Sequence, residues 1–241
     1  MINVTVWCEY RQAKTQDDVK AIYPSGIKQT IKEFLDQDPL LNVRTACLDD
    51  PECGLSDEQL KNTDVLIWWS HVAHNEVPDE LVKKIHDRVL CGMGLIILHS
   101  AHMSKIMRAV LGTSCTLKWY ENKDNCRERV WCTDPSHPIA AGIGEYFELD
   151  HEEMYGEFFD IPKPESVVFT GWFNTGHVFR SGCTWTRGYG KIFYFQPGHE
   201  QFPVYYNENV QRIINNAVKW AYSETSRAQL DCPNAQPLEN I

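Results

Sequence analysis

The sequence predicts an α/β protein with a doubly wound, mainly parallel sheet, helices on both faces of that sheet and an added β-rich segment in the second half. In the first half of the chain, short runs of apolar and β-branched residues alternate with amphipathic segments, as they do in successive βαβ units. Two of these runs are apolar almost throughout, which is typical of strands that are covered on both faces. After about residue 113 the candidate strands follow one another without helices between them.

Four strands are predicted in the first half, at 2–9, 42–48, 65–70 and 94–99, and we expect them to lie parallel in one sheet. Ser56 is expected to cap a brief helix between the second and third strands. The other helices are predicted from apolar faces, which are Ile27, Ile31, Phe34 and Leu35 in the first, Val82, Ile85 and Val89 after Pro78, and Met103, Ile106, Met107, Val110 and Leu111 before Gly112.

The second half is expected to fold as short strands and a final helix. Segments 116–122 and 127–133 are interpreted as a pair of strands, followed by a loop at 135–144. Further strands are expected at 145–150, 167–172, 177–187 and 191–195, with a hairpin turn at 187–190, and the final helix carries Val210, Ile213, Ile214, Ala217 and Val218 on one face. The polar tail after about residue 224 is expected to dock loosely. Since repeats and low-complexity linkers are missing from the sequence, residues 1–241 are assigned to a single domain.

Composition and charge exclude several classes of protein. Of the 241 residues, 43% are apolar, which is typical of a globular chain. A net charge of −10 without a dense Lys/Arg run argues against a nucleic-acid or anionic-membrane partner. Apolar runs such as Val65–Trp69 are far shorter than the roughly 20 residues that a membrane helix needs, and the first residues lack the features of a signal peptide. We therefore expect a cytoplasmic protein, and the oligomeric state, a homo-oligomer included, stays open.

The sequence contains nine cysteines but no CxxC pair. A chain of this length builds its core without disulfides, so we expect most of the cysteines to be small buried side chains in a reducing compartment. A zinc cluster built from cysteines is an alternative that no spacing supports.

Six of the nine histidines lie near the ends of predicted strands, and these are His71, His74, His99, His102, His151 and His199. The carboxyl ends of parallel strands meet at one edge of a doubly wound sheet, where such proteins bind their ligands. His71, His99 and His199 each follow a strand core, so we expect them to converge on one cleft. Glu153, in the acidic segment 150–153, is expected nearby. His74 and His102 are interpreted as solvated side chains.

Imidazole and carboxylate groups in one cleft favour two kinds of chemistry. Histidine nitrogens with one carboxylate suit a catalytic zinc or a similar divalent ion, and the predicted metal ligands are His71, His99 and His199. An imidazole, or a carboxylate beside aromatic walls, also serves as a general acid or base, and the predicted catalytic residues are His99, Glu153 and His199. A serine nucleophile has weak support, because Ser100 follows a strand without the GxSxG signature.

Four segments occur in a characteristic order: Asp64–Trp69 leading to His71 and His74, Gly94–Ser100, Asp150–Tyr155, and Gly190–Tyr194 running to Gly198 and His199. Together they resemble the trehalose-utilisation, or ThuA-like, family over roughly residues 2–222. The resemblance implies a class I glutamine-amidotransferase-like fold, a relative of the flavodoxin architecture, and a role in carbohydrate metabolism on disaccharides or their keto forms. The matching positions are His71, His99, Glu153 and His199. The amidotransferase cysteine is missing at the strand-to-helix turn, so glutamine hydrolysis is not implied.

We therefore expect an intracellular enzyme that transforms a sugar or keto-sugar as a hydrolase, lyase or isomerase. A histidine or Glu153 would act as the base, while a divalent ion or a histidine pair polarises an oxygen of the small-molecule substrate. The residues expected to contact the sugar are Trp69, Ser100, Asp150, Tyr155 and Gln196, and further tryptophans, Trp119 among them, offer faces for stacking. Two alternatives stay open. One is a non-catalytic carbohydrate-binding or sensor protein, and the other is a thiol hydrolase that uses Cys91 or Cys115.

Overall fold

The computed structural model describes residues 1–121 and 126–239 of the chain, and a nine-stranded sheet runs through it. The strands are β1 (Ile2–Cys8), β2 (Leu41–Cys47), β3 (Val65–Trp69), β4 (Gly94–Leu98), β5 (Lys118–Tyr120), β6 (Glu128–Cys132), β7 (Tyr146–Leu149), β8 (Met154–Gly156), β9 (Ser166–Phe173), β10 (Val178–Arg187) and β11 (Gly190–Phe195). The helices are α1 (Gln12–Thr15), α2 (Asp17–Ile22), α3 (Ile27–Leu35), α4 (Asp57–Lys61), α5 (Asp79–Leu90), α6 (Lys105–Leu111) and α7 (Glu208–Ala221). Within these described ranges, every helix is too short or too polar to cross a membrane.

The large sheet has the strand order β2-β1-β3-β4-β11-β10-β9-β6-β7. The strands from β2 to β11 in this order are parallel, and those from β10 to β7 are antiparallel to their neighbours. The predicted parallel arrangement of the first four strands is therefore confirmed. The fold is a flavodoxin-like, doubly wound sheet with an antiparallel extension. Because the chain leaves β1 for β2 on one side and returns to β3 on the other, the strand order reverses between β1 and β3.

Helices cover both faces of the parallel part of the sheet and form two hydrophobic cores. Helices α3 and α7 pack on one face, against side chains such as Val4 and Ile67. Helices α4, α5 and α6 pack on the other face, against side chains such as Leu66 and Leu95. Successive side chains of a strand point to opposite faces, so a strand between two helical layers must be apolar at every position. This explains the continuous apolar runs of β3 and β4, in which every residue is buried.

Capping residues define the start of α4 and both ends of α6. The Ser56 side chain accepts a hydrogen bond from the backbone N–H of Gln59, and the backbone N–H of Ser56 donates to the Gln59 side chain, which confirms the predicted cap of α4. Helix α6 ends at Gly112 in the left-handed conformation, as expected. It begins only at Lys105, because Ser104 caps it, so Met103 lies in the preceding 3₁₀ turn and not on the helix as predicted.

The predicted pairing of segments 116–122 and 127–133 is wrong for their described parts. Strand β5 pairs with β8 in a separate two-stranded sheet, and β6 lies between β7 and β9 in the large sheet. The two segments are close in sequence, which favoured a hairpin. Strand β6 instead has two buried residues, Glu128 and Val130, and pairs with β7 and β9. Residue 122 lies outside the described residues. Helices α1 and α2 were not predicted.

The cysteines follow the prediction. Six of the nine are buried and all nine are free thiols, of which only Cys232 is exposed.

Gly190 begins β11 in close contact with the backbone around the end of α5. A Cβ atom at this position would lie 2.2 Å from the carbonyl oxygen of Val89 and 2.7 Å from that of Met93. Gly190→Ala is therefore expected to lower the free energy of unfolding by about 1–3 kcal/mol, the usual cost of overpacking, measured by urea denaturation. Gly144→Ala is the matched control, because the nearest atom to its Cβ would be the Tyr146 carbonyl oxygen at 3.9 Å. Equal stability of the two variants would contradict this packing.

Candidate functional site

Three histidines and a glutamate from separate parts of the chain meet at the carboxyl edge of the sheet. His71 follows β3, His99 follows β4, His199 follows β11, and Glu153 directly precedes β8. The ring centroids of His99 and His199 are 5.4 Å apart, and the His71 centroid lies 6.1 Å from that of His99 and 5.7 Å from that of His199. Oε2 of Glu153 lies 3.2 Å from Nε2 of His99. The structure thus brings together the four residues that were expected to converge.

His99 is buried at the strand-to-helix turn and is held on both sides of its ring. Its backbone has a φ of 51°, its Nδ1 donates to the Gln196 carbonyl oxygen at 2.9 Å, and its ring stacks on Tyr155 with 5.1 Å between centroids. Burial alone would lower the pKa of His99, but the carboxylates of Glu153 and Glu152 raise it to about 9. A protonated ring has no lone pair for a metal, so these carboxylates weigh against the predicted role of His99 as a metal ligand.

Glu153 takes the place of His99 in the group that could hold a metal. One ligand atom each from His71, Glu153 and His199 lies within 4.8 Å of the other two. Burial lowers the pKa of His199 to about 4, so its ring is neutral at pH 7, as a metal ligand must be. Burial would raise the pKa of Glu153, but its pairing with His99 outweighs burial and lowers it, so the side chain is a carboxylate. Two imidazoles and one carboxylate are a typical protein ligand set of catalytic zinc.

A carboxylate also lies behind His71. The Nδ1 atom of His71 is 3.2 Å from Oε1 of Glu200 and contacts the side-chain amide of Gln12. Burial would raise the pKa of Glu200, but its hydrogen bond to His71 and the neighbouring histidine charges lower it to about 2. A carboxylate beside the ring of a metal-bound histidine is the usual arrangement in such sites.

Glu152 holds the loop that carries His199. It is fully buried and accepts hydrogen bonds from the backbone N–H groups of Glu153 and Gly198, both at 2.8 Å, and of His199 at 3.2 Å. The indole N–H of Trp69 donates to the carbonyl oxygen of Gly198 at 3.2 Å. Trp69 and Glu152 therefore position the loop after β11 from two sides.

Glu9 performs the same task for the loop that carries His71. It directly follows β1, is buried, and accepts hydrogen bonds from the backbone N–H groups of Val72 at 2.8 Å and Ala73 at 2.9 Å. Sequence reasoning missed Glu9, Gln12 and Glu200. Glu9 stands at the end of a strand, so the rule that selected the histidines could have selected it as well.

A cavity of about 360 Å³ opens beside the cluster. Its lining consists of His71, His74, Ser100, His102, Met103, Thr116, Leu117, Trp119, Glu121, Glu153, Tyr155 and His199. His74 and His102, which were interpreted as solvated, thus belong to the cavity wall. A larger groove of about 490 Å³ between α3 and α7 contains none of the clustered histidines and offers no comparable chemistry.

The residues predicted to contact a sugar divide between the cavity and its surroundings. Ser100 and Tyr155 line the cavity. Trp69 and Gln196 are buried and absent from the cavity lining, and they hold backbone groups behind it. Asp150 is exposed and lines a different surface pocket, so it is also removed from the candidate site. The chain bends sharply between Asp150 and Glu153, which sequence proximity did not reveal.

The cavity offers no activated nucleophile among its described lining residues. Ser100 Oγ donates to the Ser70 carbonyl oxygen at 2.8 Å and has no hydrogen bond to a base. Cys91 and Cys115 are buried and lie outside the cavity lining, and burial raises the pKa of Cys115. The geometry therefore disfavours covalent catalysis by serine or by a thiol.

A chain of hydrogen bonds connects the site to Glu128, which is fully buried at the start of β6. Ser181 Oγ lies 3.1 Å from Oε1 of Glu128 and 3.0 Å from Oε1 of Gln196. Gln196 Nε2 donates to the Glu153 carbonyl oxygen at 3.3 Å, which sets the orientation of its amide. A hydroxyl has one proton, which Glu128 and Gln196 share as acceptors, so Ser181 compensates only in part for the burial of Glu128. Burial and the charge of Glu152 raise the pKa of Glu128 well above its usual value, in agreement with a neutral side chain.

Comparisons with known proteins agree with the fold. The family model described as "ThuA: Trehalose utilisation" matches residues 3–221. A search of curated proteins found no match. Among solved structures, a ThuA-like protein of Parabacteroides merdae is similar with a TM-score of 0.63 at 12% identity, over 95% of this chain and 92% of the other. A cytoplasmic protein of Salmonella typhimurium is similar with a TM-score of 0.63 at 14% identity, over 92% and 100% of the two chains. PurLQS of Thermotoga maritima follows with a TM-score of 0.54 at 12% identity, over 91% and 98%.

The neutral state of Glu128 predicts a specific dependence of stability on pH. The folded state keeps the proton above pH 4.5, where an unfolded glutamate loses it, so this group stabilises the fold less as the pH rises. Relative to Glu128→Gln, the wild-type protein is expected to lose about 1.4 kcal/mol of unfolding free energy per pH unit above roughly pH 4.5, until the folded carboxyl group ionises. Urea denaturation between pH 4 and 8 measures the difference. Replacing the exposed Glu145 with Gln should produce no such slope, and a flat difference for Glu128→Gln would mean that Glu128 is ionised.

Proposed function

The chain belongs to the trehalose-utilisation (ThuA) family, and on that premise we propose that it is a cytoplasmic, metal-dependent enzyme of carbohydrate metabolism. Its substrate is a disaccharide or a keto-sugar that binds in the cavity beside the metal ligands. The observation that carries the proposal is the position of His71, Glu153 and His199, whose ligand atoms lie within 4.8 Å of one another at the cavity wall. The similar protein of Salmonella typhimurium, described as cytoplasmic, supports the compartment.

The donor set fits zinc. His199 is neutral at pH 7, Glu153 is ionised, and the carboxylate of Glu200 lies at Nδ1 of His71. Three protein ligands leave an open position, as in catalytic zinc sites. A bound divalent ion would polarise a carbonyl or hydroxyl oxygen of the sugar.

The residues around the ligands divide the remaining work. His99 is fully buried beneath Glu153 and does not line the cavity, so we assign it as a positioning residue rather than a catalytic one. Glu153 and His199 line the cavity, where they would hold the ion within reach of a bound sugar.

This arrangement favours an isomerase or a lyase over a hydrolase with a covalent intermediate. The turn after β4, where hydrolases of related architecture carry a nucleophile, holds the imidazolium of His99. An ion that polarised a carbonyl oxygen would make the protons on the neighbouring carbon more acidic, which suits an isomerase or a lyase.

Metal content tests the ligand set. Wild-type protein dialysed against zinc and then against buffer is expected to retain about one zinc per chain by elemental analysis. His199→Ala and Glu153→Gln remove one of three ligands and should each weaken zinc binding by more than about a hundredfold, since even groups behind the ligands contribute about 10–100-fold. His177→Ala, which changes an exposed histidine at the turn before β10, is the control and should retain zinc. Wild-type protein that stays free of zinc under these conditions would refute the metal site.

Turnover tests the enzymatic part of the proposal. Zinc-loaded protein is expected to convert a disaccharide or its 3-keto derivative, and conversion should be lost in Glu153→Gln but kept in His177→Ala. Product analysis by NMR distinguishes an isomer from an eliminated or hydrolysed product. Binding of these sugars without conversion would favour the non-catalytic carbohydrate-binding alternative.

A further inference from the structure

Part of the cavity wall neither belongs to the candidate metal ligands nor has a role in the reaction proposed above. It consists of His74, His102 and Trp119. Trp119 is 65% exposed, although it is a large apolar side chain that borders a cavity. His74 and His102 are largely inaccessible to solvent, and burial lowers the pKa of each to about 4, so both rings are neutral at pH 7.

His102 presents a hydrogen-bond acceptor. Its Nδ1 lies 2.7 Å from the carbonyl oxygen of Cys115, which only accepts, so the proton of the neutral ring is on Nδ1. Nε2 then carries the lone pair, and it has no partner among the described residues. A hydroxyl group in the cavity that His102 lines can donate a hydrogen bond to this nitrogen.

His74 is held by the residues around it. Its Nδ1 lies 3.0 Å from Ser70 Oγ, which also accepts a hydrogen bond from the indole N–H of Trp68 at 3.2 Å. A hydroxyl oxygen accepts two hydrogen bonds, so these contacts fit either tautomer of His74. His74 therefore contributes surface to the cavity wall, and the recognition of a ligand is assigned to His102 and Trp119.

We propose that His102 and Trp119 bind the second, non-reacting ring of a two-ring sugar. A sugar hydroxyl can donate to the free nitrogen of His102, and the apolar face of a pyranose ring stacks on an exposed indole. The binding of a first ring at the metal ligands is taken from the proposed function, on which this inference rests.

The two parts of the cavity are connected through Tyr155. Its ring stacks on His99 at 5.1 Å, beside the metal ligands, and meets the His102 ring edge-on at 5.3 Å. The cavity volume of about 360 Å³ lies in the lower part of the range of roughly 300–1,000 Å³ found for sites of drug-sized ligands. This size suits two sugar rings better than a longer oligosaccharide.

Calorimetric titration with one-ring and two-ring sugars tests the site. The probes are trehalose, its 3-keto derivative and glucose, added to zinc-loaded protein. Wild-type protein is expected to bind a two-ring probe about tenfold more tightly than glucose. Trp119→Ala should weaken the two-ring probe by about tenfold, as truncation of an aromatic anchor commonly does, and leave glucose binding and zinc content unchanged.

Tyr120→Ala is the matched control for Trp119→Ala. Tyr120 is the next residue of β5 and is 48% exposed, but its side chain points to the other side of the strand and does not line the cavity. The Tyr120→Ala variant should therefore bind all three probes as tightly as the wild-type protein does. His102→Leu, which removes the acceptor, should weaken the two-ring probe by about three- to tenfold, the effect of one hydrogen bond.

The outcomes separate this inference from the proposed function. Equal affinity for one-ring and two-ring sugars, failure of both two-ring probes to bind, or an equal loss in Trp119→Ala and Tyr120→Ala would overturn the second-ring site while zinc binding stands. If the protein bound no zinc, the proposed function would fail, and the same titrations without metal would still decide whether Trp119 selects two-ring sugars.

Discussion

The ion pair between His99 and Glu153 is the interaction on which the candidate site depends. Both side chains are buried, and a charge inside a protein is stable only when it is paired and hydrogen-bonded. The Gln196 carbonyl oxygen and the Tyr155 ring hold the imidazolium from its other sides. Without this cation, burial would favour the protonated form of Glu153. The three candidate metal ligands, His71, Glu153 and His199, would then include no negative charge.

The place of the site follows from the order of strands and helices, and that order could be predicted from the sequence. Continuous apolar runs identified β3 and β4 as strands between two helical layers, and parallel strands direct their carboxyl ends to one edge. His71, His99 and His199 could be selected because this rule needs only their position after a strand. It does not depend on any detail of side-chain packing.

The roles within the cluster could not be predicted, because they depend on which atom faces which neighbour. A histidine after a strand becomes an imidazolium or a neutral ligand according to the carboxylates around it, and Glu153 and Glu200 come from distant parts of the chain. The neutral carboxyl group of Glu128 depends on its burial and on the charge of Glu152, which raise its pKa despite the contact with Ser181, 53 residues away in sequence. The partners of β6 are similarly distant, which is why a local hairpin was the wrong expectation.

The balance of charge around the cavity bears on what it can bind. Five glutamates are buried in the described part of the chain, namely Glu9, Glu128, Glu152, Glu153 and Glu200, and they are stabilised by backbone N–H groups, by histidines or, for Glu128, by protonation. His99 is the imidazolium among them, and the cavity lining within the described residues contains neither lysine nor arginine. Carboxylates that exceed the nearby cations favour a divalent ion at the ligand group. Within the described residues the cavity offers a phosphate group no lysine or arginine to bind it, so its lining suits an uncharged sugar better than a sugar phosphate.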